Sequence, residues 1–246
     1  MTSALEEELE KTRREVEILK EEHKNFLYKI SHDLNAPIRH IDGFSNLILA
    51  ANFEQFDDET KKYFDIIVKS NRQLGAKLDA LLKLSRLSTR QNSFQFIDTN
   101  AIFEHLVTNS LAGPIEASSA IVDVDNLPSV WGDLDHVTVL FEELLKNAVS
   151  FVSKNVAPHV HIKAEETESE VQIQMIDNGI GVAPKSRKTI FELFKRDVDR
   201  NAYPGQGVGL ALAAKIIQLH NGKVWVEDNS PKGSVFCITL PKIAVS

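Results

Sequence analysis

Residues 29–39 read KISHDLNAPIR, which sets His32 beside Asp33 with Pro37 five residues on from the histidine. Imidazole is the side chain that most readily takes up and gives away a group near neutral pH. Asp33 is placed to accept a hydrogen bond from the ring and orient it. With Ile30 at zero on a helical wheel, Phe26, Leu34, Ile41, Phe44 and Ile48 fall within about 40° of it and His32 near 200°. His32 therefore projects away from the apolar stripe, where a large partner can reach it. Pro37 removes one backbone hydrogen bond and clashes with the carbonyl of Asp33, so a local bend is expected just past the histidine. Alone, an exposed histidine beside an aspartate is an ordinary surface pair.

A second group of residues lies far downstream. MIDNGIGV puts Asp177, Gly179 and Gly181 at the end of an apolar strand, where a carboxylate facing a glycine turn suits an exocyclic amine. PGQGVGLALAAKI puts Gly205, Gly207 and Gly209 just before a helix, whose free amides make a ready anion site. The G-x-G-x-G spacing follows a polar loop, so it is not the dinucleotide fingerprint, and no Gly-Lys-Ser/Thr follows to make a Walker loop. On the preceding helix Glu143 and Asn147 are four apart and share a face. Asn147 offers a neutral oxygen to a hard cation such as Mg²⁺.

The elements that must position these groups fall into two textures. Leu5, Leu9, Thr12, Val16, Leu19, His23, Phe26 and Ile30 are spaced alternately four and three apart, a heptad seam weakened at Thr12 and His23. The stripe continues to Ile48. A second helix is expected to start near Asp57 or Asp58 and run through Phe64, Ile67, Leu74, Leu78, Leu81, Leu82 and Leu84. Two long amphipathic helices joined by a short loop make an antiparallel hairpin that buries little alone, and two copies make a four-helix bundle. After Ser88 a polar, turn-like stretch reads as a linker. Beyond it SSAIVDVD, HVHIKAEE, EVQIQMID, KVWVEDN and SVFCITLP read as strands, and DHVTVLFEELLKNAVSFVSK and GVGLALAAKIIQLHNG as helices. The fold class is α+β: a helical hairpin, then a sandwich of one mixed sheet with helices on a face.

Taken in order, these motifs resemble the sensor histidine kinases of two-component signalling. FLYKISHDLNAPIRHIDGF looks like the phosphoacceptor box, FEELLKNAVSFV the asparagine box and IDNGIGV the first glycine box. FELFKR looks like the phenylalanine box and GQGVGLALA the second glycine box. The wording of SHDLNAPIR and of YPGQGVGLALAAKIIQLHNGKVWVED is similar to kinases attached to phytochrome-type and PAS modules. The resemblance implies a coiled-coil helix over 1–22, a dimerisation and histidine-phosphotransfer domain over 23–90, and a GHKL-type ATP-binding domain over 91–246. It implies that His32 is phosphorylated and that Asp33 is its base or orienting partner. Asp177 would bind the adenine amine, and Asn147 would hold the Mg²⁺ that bridges the phosphates, with Glu143 beside it. Gly179 and Gly181 would shape the adenine end. Gly205, Gly207, Gly209 and Leu210 would cradle the phosphates and hinge a lid over 195–204. Phe191 and Phe194 would anchor that lid, and Lys195, Arg196 and Arg200 would offset phosphate charge.

Two positions depart from the family pattern. Ala36 stands where many members carry Thr or Asn to position a dephosphorylating water, which implies weak phosphatase activity. Ser150 stands where many carry Lys, leaving Lys146, Lys154 or Arg200 to supply that charge. Two other readings compete. One is a non-kinase ATPase on the same nucleotide fold, with Glu143 as general base for water. The other is a dimeric scaffold or pseudokinase. The hairpin carrying His32 speaks against the first, and the intact Asn147, Asp177 and glycine boxes against the second.

The composition narrows the remaining classes. A net charge of −7 gives no bulk electrostatic case for nucleic acid. Cys237 is the only cysteine, so no internal disulfide forms. No apolar run approaches the roughly 20 residues that span a bilayer, and the acidic N-terminus is not a secretory signal. The chain is read as a cytoplasmic homodimer that uses ATP and Mg²⁺ and hands phosphate to a response-regulator receiver domain. Its input comes from an upstream sensory domain in cis or from a separate sensor protein.

Overall fold

The computed structural model describes residues 2–89, 92–198, 203 and 205–242. The chain divides into two compact units, Met1–Arg90 and Gln91–Ser246. The first is a hairpin of α1 (Thr2–Asn52) and α2 (Asp58–Thr89), joined through a 3₁₀ turn at Phe53–Gln55. Asp57 opens α2, its Oδ1 accepting the Thr60 amide at 2.7 Å, which caps an orphan donor of the first turn. Among the described residues Ser45, Val68, Asn71, Leu78, Ala80 and Ser85 are buried along the hairpin. Asn71 ties the helices together by donating from Nδ2 to the Ile38 carbonyl at 2.7 Å. That anchor lies beside Pro37, and α1 runs helical straight through the proline. The heptad positions Leu9, Val16 and Leu19 lie on α1 and are exposed, while the side chains of Leu5 and His23 lie outside the described residues.

The second unit is built on a five-stranded sheet in the order β2-β4-β5-β7-β6: β2 (Ile121–Val124), β4 (His159–Glu166), β5 (Glu170–Asp177), β6 (Lys223–Asp228) and β7 (Ser234–Pro241). The β2–β4 pair is parallel and the other three pairs are antiparallel, so the sheet is mixed. Two helices, α5 (Leu134–Ser150) and α6 (Gly209–Leu219), pack against it. The core between them includes Leu140, Phe141, Leu144 and Leu145 from α5 and Leu212, Ile216 and Ile217 from α6. From the sheet come Val160, Ile162, Val171, Ile173, Met175 and Ile238. Strand period two sets the decisive detail. On β5 every second residue is buried, so Val171, Ile173 and Met175 form an apolar row that ends on Asp177. The same alternation that builds the core thus delivers a carboxylate beneath the helices.

All five strands read from the sequence are present. A two-stranded pair of β1 (Gln95–Ile97) and β3 (Val130–Gly132), together with α3 (Thr99–His105), a π-helical segment at Leu106–Ser110 and α4 (Ala112–Ser118), was not read from the sequence. Three-residue strands and seven-residue helices are too short to show a period. The helix expected to reach Lys154 stops at Ser150. Phe151 leaves helical geometry (φ −97, ψ 54), and its carbonyl accepts the Ile180 amide at 2.9 Å. The end of α6 follows the expected Asn221-Gly222 stop, with Asn221 in the left-handed region at φ 57. Among the described residues no helix is long and apolar enough to cross a membrane.

Gly222 and Gly43 should respond oppositely to alanine. A Cβ at Gly222 would lie 2.0 Å from the Thr239 carbonyl oxygen, whereas nothing lies within 4 Å at Gly43 inside α1. Gly222→Ala is expected to cost about 3 kcal/mol or more by overpacking, and Gly43→Ala to add up to about 1 kcal/mol of helix propensity. Guanidinium unfolding midpoints of the full chain check both signs.

Candidate functional site

A cavity of about 360 Å³ opens between α5, α6 and the end of β5. Asp177 closes one end of it. The carboxylate is 4% exposed, and its Oδ1 accepts the amides of Gly179 at 2.8 Å and Ser234 at 3.1 Å. Both bonds use the same oxygen, which leaves Oδ2 to the cavity. The Asp177 carbonyl is held as well, by Asn229 Nδ2 at 2.8 Å. Burial pushes the carboxyl up to about 6, against the two amides, which favour the charged form. At neutral pH the group is still ionised and accepts a hydrogen bond strongly.

Glycines make this end fit. A Cβ on Gly179 would meet the Phe151 carbonyl at 2.5 Å and Asp177 Oδ1 at 2.7 Å. Gly233, in the left-handed half of the map at φ 129, passes so close that a Cβ would sit 1.8 Å from the Asp177 carbonyl. Phe151, Ile180, Val182 and Phe236 give the cavity apolar walls suited to a flat heterocycle.

The other end is polar. Glu143 and Asn147 line the cavity one turn apart on α5, with Lys146 Nζ 3.5 Å from Glu143 Oε1. Asn147 Nδ2 is buried without a hydrogen-bond partner, so the amide is not committed to a protein network. Across the cavity α6 starts at Gly209 with no side-chain cap on its first amides. Gly209 brings α5 and α6 together at this point, because a Cβ there would lie 2.5 Å from Glu143 Oε2. An oxygen-rich face opposite uncapped helix amides suits a phosphate chain with a divalent cation. Among the described residues no three His, Cys, Asp or Glu side chains gather to hold a metal. A hard cation here must draw most of its ligands from phosphate and water, which is how Mg²⁺ binds beside nucleotides.

The described residues around 194–196 and 203–207 are tied together by backbone and side-chain bonds. Phe194, at φ 65, donates its amide to the Gly207 carbonyl at 2.7 Å. Gly207 is itself at φ 71, with a Cβ position 2.7 Å from the Lys195 carbonyl. The Arg196 guanidinium donates to the carbonyls of Gly205 and, at 2.6 Å, Tyr203. Tyr203 stacks on Phe151 at 5.6 Å between ring centroids.

Of the residues expected to bind nucleotide, Glu143, Asn147, Asp177, Gly181, Arg196, Gly205, Gly207, Gly209 and Leu210 line this one cavity. Gly179 and Phe194 stand just behind its wall, and Arg200 lies outside the described residues. Of the candidates to replace the missing lysine, Lys146 lines the cavity and Lys154 does not. Phe151, Ser234, Phe236 and Tyr203 were missed. Ser234 faces Asp177 only through β5–β7 register, across 57 residues of chain. His32 and Asp33 belong to the helical unit. The imidazole side chain is 74% exposed, and its Nδ1 lies 3.3 Å from Asp33 Oδ1.

Replacing Asp177 separates stability from binding. Its folded-state pKa stands above the unfolded value, so the charge costs stability above about pH 6 and nothing below about pH 4, the cost growing across that window. Asp177→Asn is expected to stabilise this unit at pH 8, by roughly 3 kcal/mol at most, and to lose the gain near pH 4. The same variant loses affinity for ATP. Thermal melts at both pH values and a nucleotide titration check the pair of outcomes.

Two family models match the chain: His Kinase A (phospho-acceptor) domain over residues 22–90, and Histidine kinase-, DNA gyrase B-, and HSP90-like ATPase over residues 132–244. Cyanobacterial phytochrome A of Nostoc sp. is 32% identical over 235 residues, covering 96% of this chain and 30% of the phytochrome. Methanogenesis regulatory histidine kinase FilI of Methanothrix harundinacea is 28% identical, covering 95% of this chain and 26% of that protein. The chain spans about a third of the length of the phytochromes it matches. The crystal structure of ShkA full-length in complex with AMPPNP shares the fold at a TM-score of 0.63 and 21% identity, covering 90% of this chain and 47% of that one. With a phospho-acceptor helical domain followed by a GHKL-type ATPase domain, the chain belongs to the sensor histidine kinases.

Proposed function

We propose that this chain is the kinase core of a two-component system, phosphorylating its own His32 from ATP and passing the phosphoryl group to a receiver-domain aspartate. The observation that carries this reading is His32 itself: an exposed imidazole with Nδ1 held by Asp33, in a chain that also bears an ATPase-family cavity. With Nδ1–H directed at Asp33, the lone pair of Nε2 is free to attack. Nε2 bonds to the γ-phosphorus in line as the bond to the ADP oxygen breaks, and Asp33 takes the Nδ1 proton, leaving an uncharged imidazole ring that carries the anionic phosphoryl group, and ADP. Asp177 Oδ2 accepts from the adenine amine, and the first amides of α6 with Gly205, Gly207 and Leu210 receive the phosphates. Asn147 and Glu143 would hold Mg²⁺, which offsets phosphate charge when bound.

In this reading residues 1–22 are a signalling coiled coil, 23–90 the dimerisation and phosphotransfer domain, and 91–246 the catalytic domain. Homodimerisation covers the apolar face that the single hairpin leaves open: Phe26 is 61% and Phe44 64% exposed, and Ile41, Ile67, Leu74 and Leu81 are exposed with them. Monomers of ordinary soluble domains rarely show such a continuous row. The sensory domain, in cis or separate, biases the swing of one domain onto the other in the cytoplasm.

Incubation with γ-labelled ATP should give acid-labile, alkali-stable label that is lost in His32→Gln; ATP hydrolysis with no label on the wild-type chain would make this a different GHKL ATPase. Ala36 sits one turn beyond His32 on α1, with no group to hold a water. The wild type is expected to dephosphorylate its regulator slowly, and Ala36→Thr faster, in a phosphate-release assay on phosphorylated receiver domain.

A further inference from the structure

One buried cluster in the ATP-binding unit has no part in the chemistry above. His220, directly after α6, is fully buried. Its ring is held at both nitrogens: Nδ1–H donates to the Ile216 carbonyl at 2.8 Å, and Nε2 accepts the Asp133 amide at 3.0 Å. A single imidazole thus joins the C-terminal end of α6 to the N-cap of α5. Gly132 leaves room for the ring, since a Cβ there would lie 2.7 Å from its Cδ2. Asp133 is also fully buried, and its Oδ1 caps α5 by accepting the amides of Asp135 and His136 at 3.0 and 3.2 Å.

The chain segment entering the unit seats itself on this cluster. The Asn92 amide donates to Asp133 Oδ2 at 2.9 Å. Asn92 Nδ2 donates to Asp135 Oδ2 at 3.0 Å and to Asp133 Oδ1 at 3.4 Å. Phe94 stacks on the His220 ring, 4.7 Å between centroids and 14° from parallel. The charged and titratable groups facing His220 are Asp133 and His136, both from α5. Burial holds the His220 pKa down, with His136 acting the same way and Asp133 opposing. Kept neutral, the ring retains the lone pair that receives the Asp133 amide.

We propose that Asn92 and Phe94 are positioning residues for phosphoryl transfer, plugging the linker into the Asp133–His220 seat so that the pivot between the two units lies before Asn92. The polar stretch after Ser88 reads from the sequence as one linker, whereas Asn92 and Phe94 at its end are seated on the folded unit. The proposal rests on the kinase reading above. Its physical basis is tether length. Releasing residues 92–94 would add about 10 Å of extended chain to the tether. That slack dilutes the γ-phosphate at the imidazole and loosens the in-line approach, where misplacement by about 1 Å can cost a hundredfold. Nucleotide binding is left alone, because the seat lies at the ends of α5 and α6 remote from Asn147 and Gly209.

The test uses the full chain carrying Asn92→Ala and Phe94→Ala together, with Phe94→Tyr as the conservative variant. Three quantities are read: affinity for a fluorescent ATP analogue, initial rate of label incorporation from γ-labelled ATP, and hydrogen exchange of the backbone amides of residues 92–94. The expected result is affinity within about twofold of wild type, labelling at least about tenfold slower, and faster exchange confined to the entering segment. Phe94→Tyr, which keeps the stack, labels at the wild-type rate. Fast exchange with unchanged labelling overturns the positioning role. Parallel loss of ATP affinity overturns it too, by showing a general structural fault. A wild-type chain that takes no label overturns the kinase reading and the positioning role with it, and that control tells this failure from failure of the seat alone.

Discussion

A carboxylate kept charged inside an apolar core is the constraint around which the ATP-binding unit is arranged. Asp177 occupies the last place in a row of core residues on β5, where valine or methionine would be the cheaper choice. Keeping it there demands amide donors, which come from Gly179 and from Ser234 on the neighbouring strand. It also demands a backbone that can come close without side chains, which Gly179 and Gly233 provide. The β5–β7 register fixes the partner, the α5 C-cap at Phe151 fixes the wall, and both follow from the need to satisfy one oxygen while leaving the other to the cavity.

The opposite end of the cavity is governed by helix ends. The N-terminal amides of α6 and the Glu143–Asn147 face of α5 meet at Gly209, where the absence of a Cβ lets a carboxylate approach the start of a helix. The other ends of those two helices meet at His220 and Asp133. Two rigid helices pinned to one another at both ends move as one body. A ligand held at one end and a chain segment held at the other are therefore bound to the same frame.

Much of this was legible in the sequence, because alternation and helical period carry long elements well. The five strands, α1, α2 and α6 stand where their patterns put them, α5 stops four residues short of its pattern, and the glycine boxes fall at or beside the cavity. What could not be read depends on contacts between distant residues. Ser234 has no motif of its own, and gains its role only from lying opposite Asp177. His220 looks like the end of a helix and nothing more, yet its partner Asp133 lies 87 residues away. Arg196, which the resemblance expects to offset phosphate charge, lines the cavity and also donates to two backbone carbonyls of its own loop, contacts that local sequence does not advertise. The small β1–β3 pair and the short helices between them escaped because three to seven residues cannot establish a period.

The first helix has a further consequence. Over its 51 residues α1 is helical without a break, Pro37 included, roughly 77 Å measured along its axis, with His32 exposed on its flank. A continuous helix couples position along its axis to angle around it. Each residue inserted or removed ahead of His32 turns the histidine by about 100° relative to whatever grips the N-terminal end. A rotation applied at the N-terminal end of this helix would therefore reach His32 as a change of facing, not only as a shift in position.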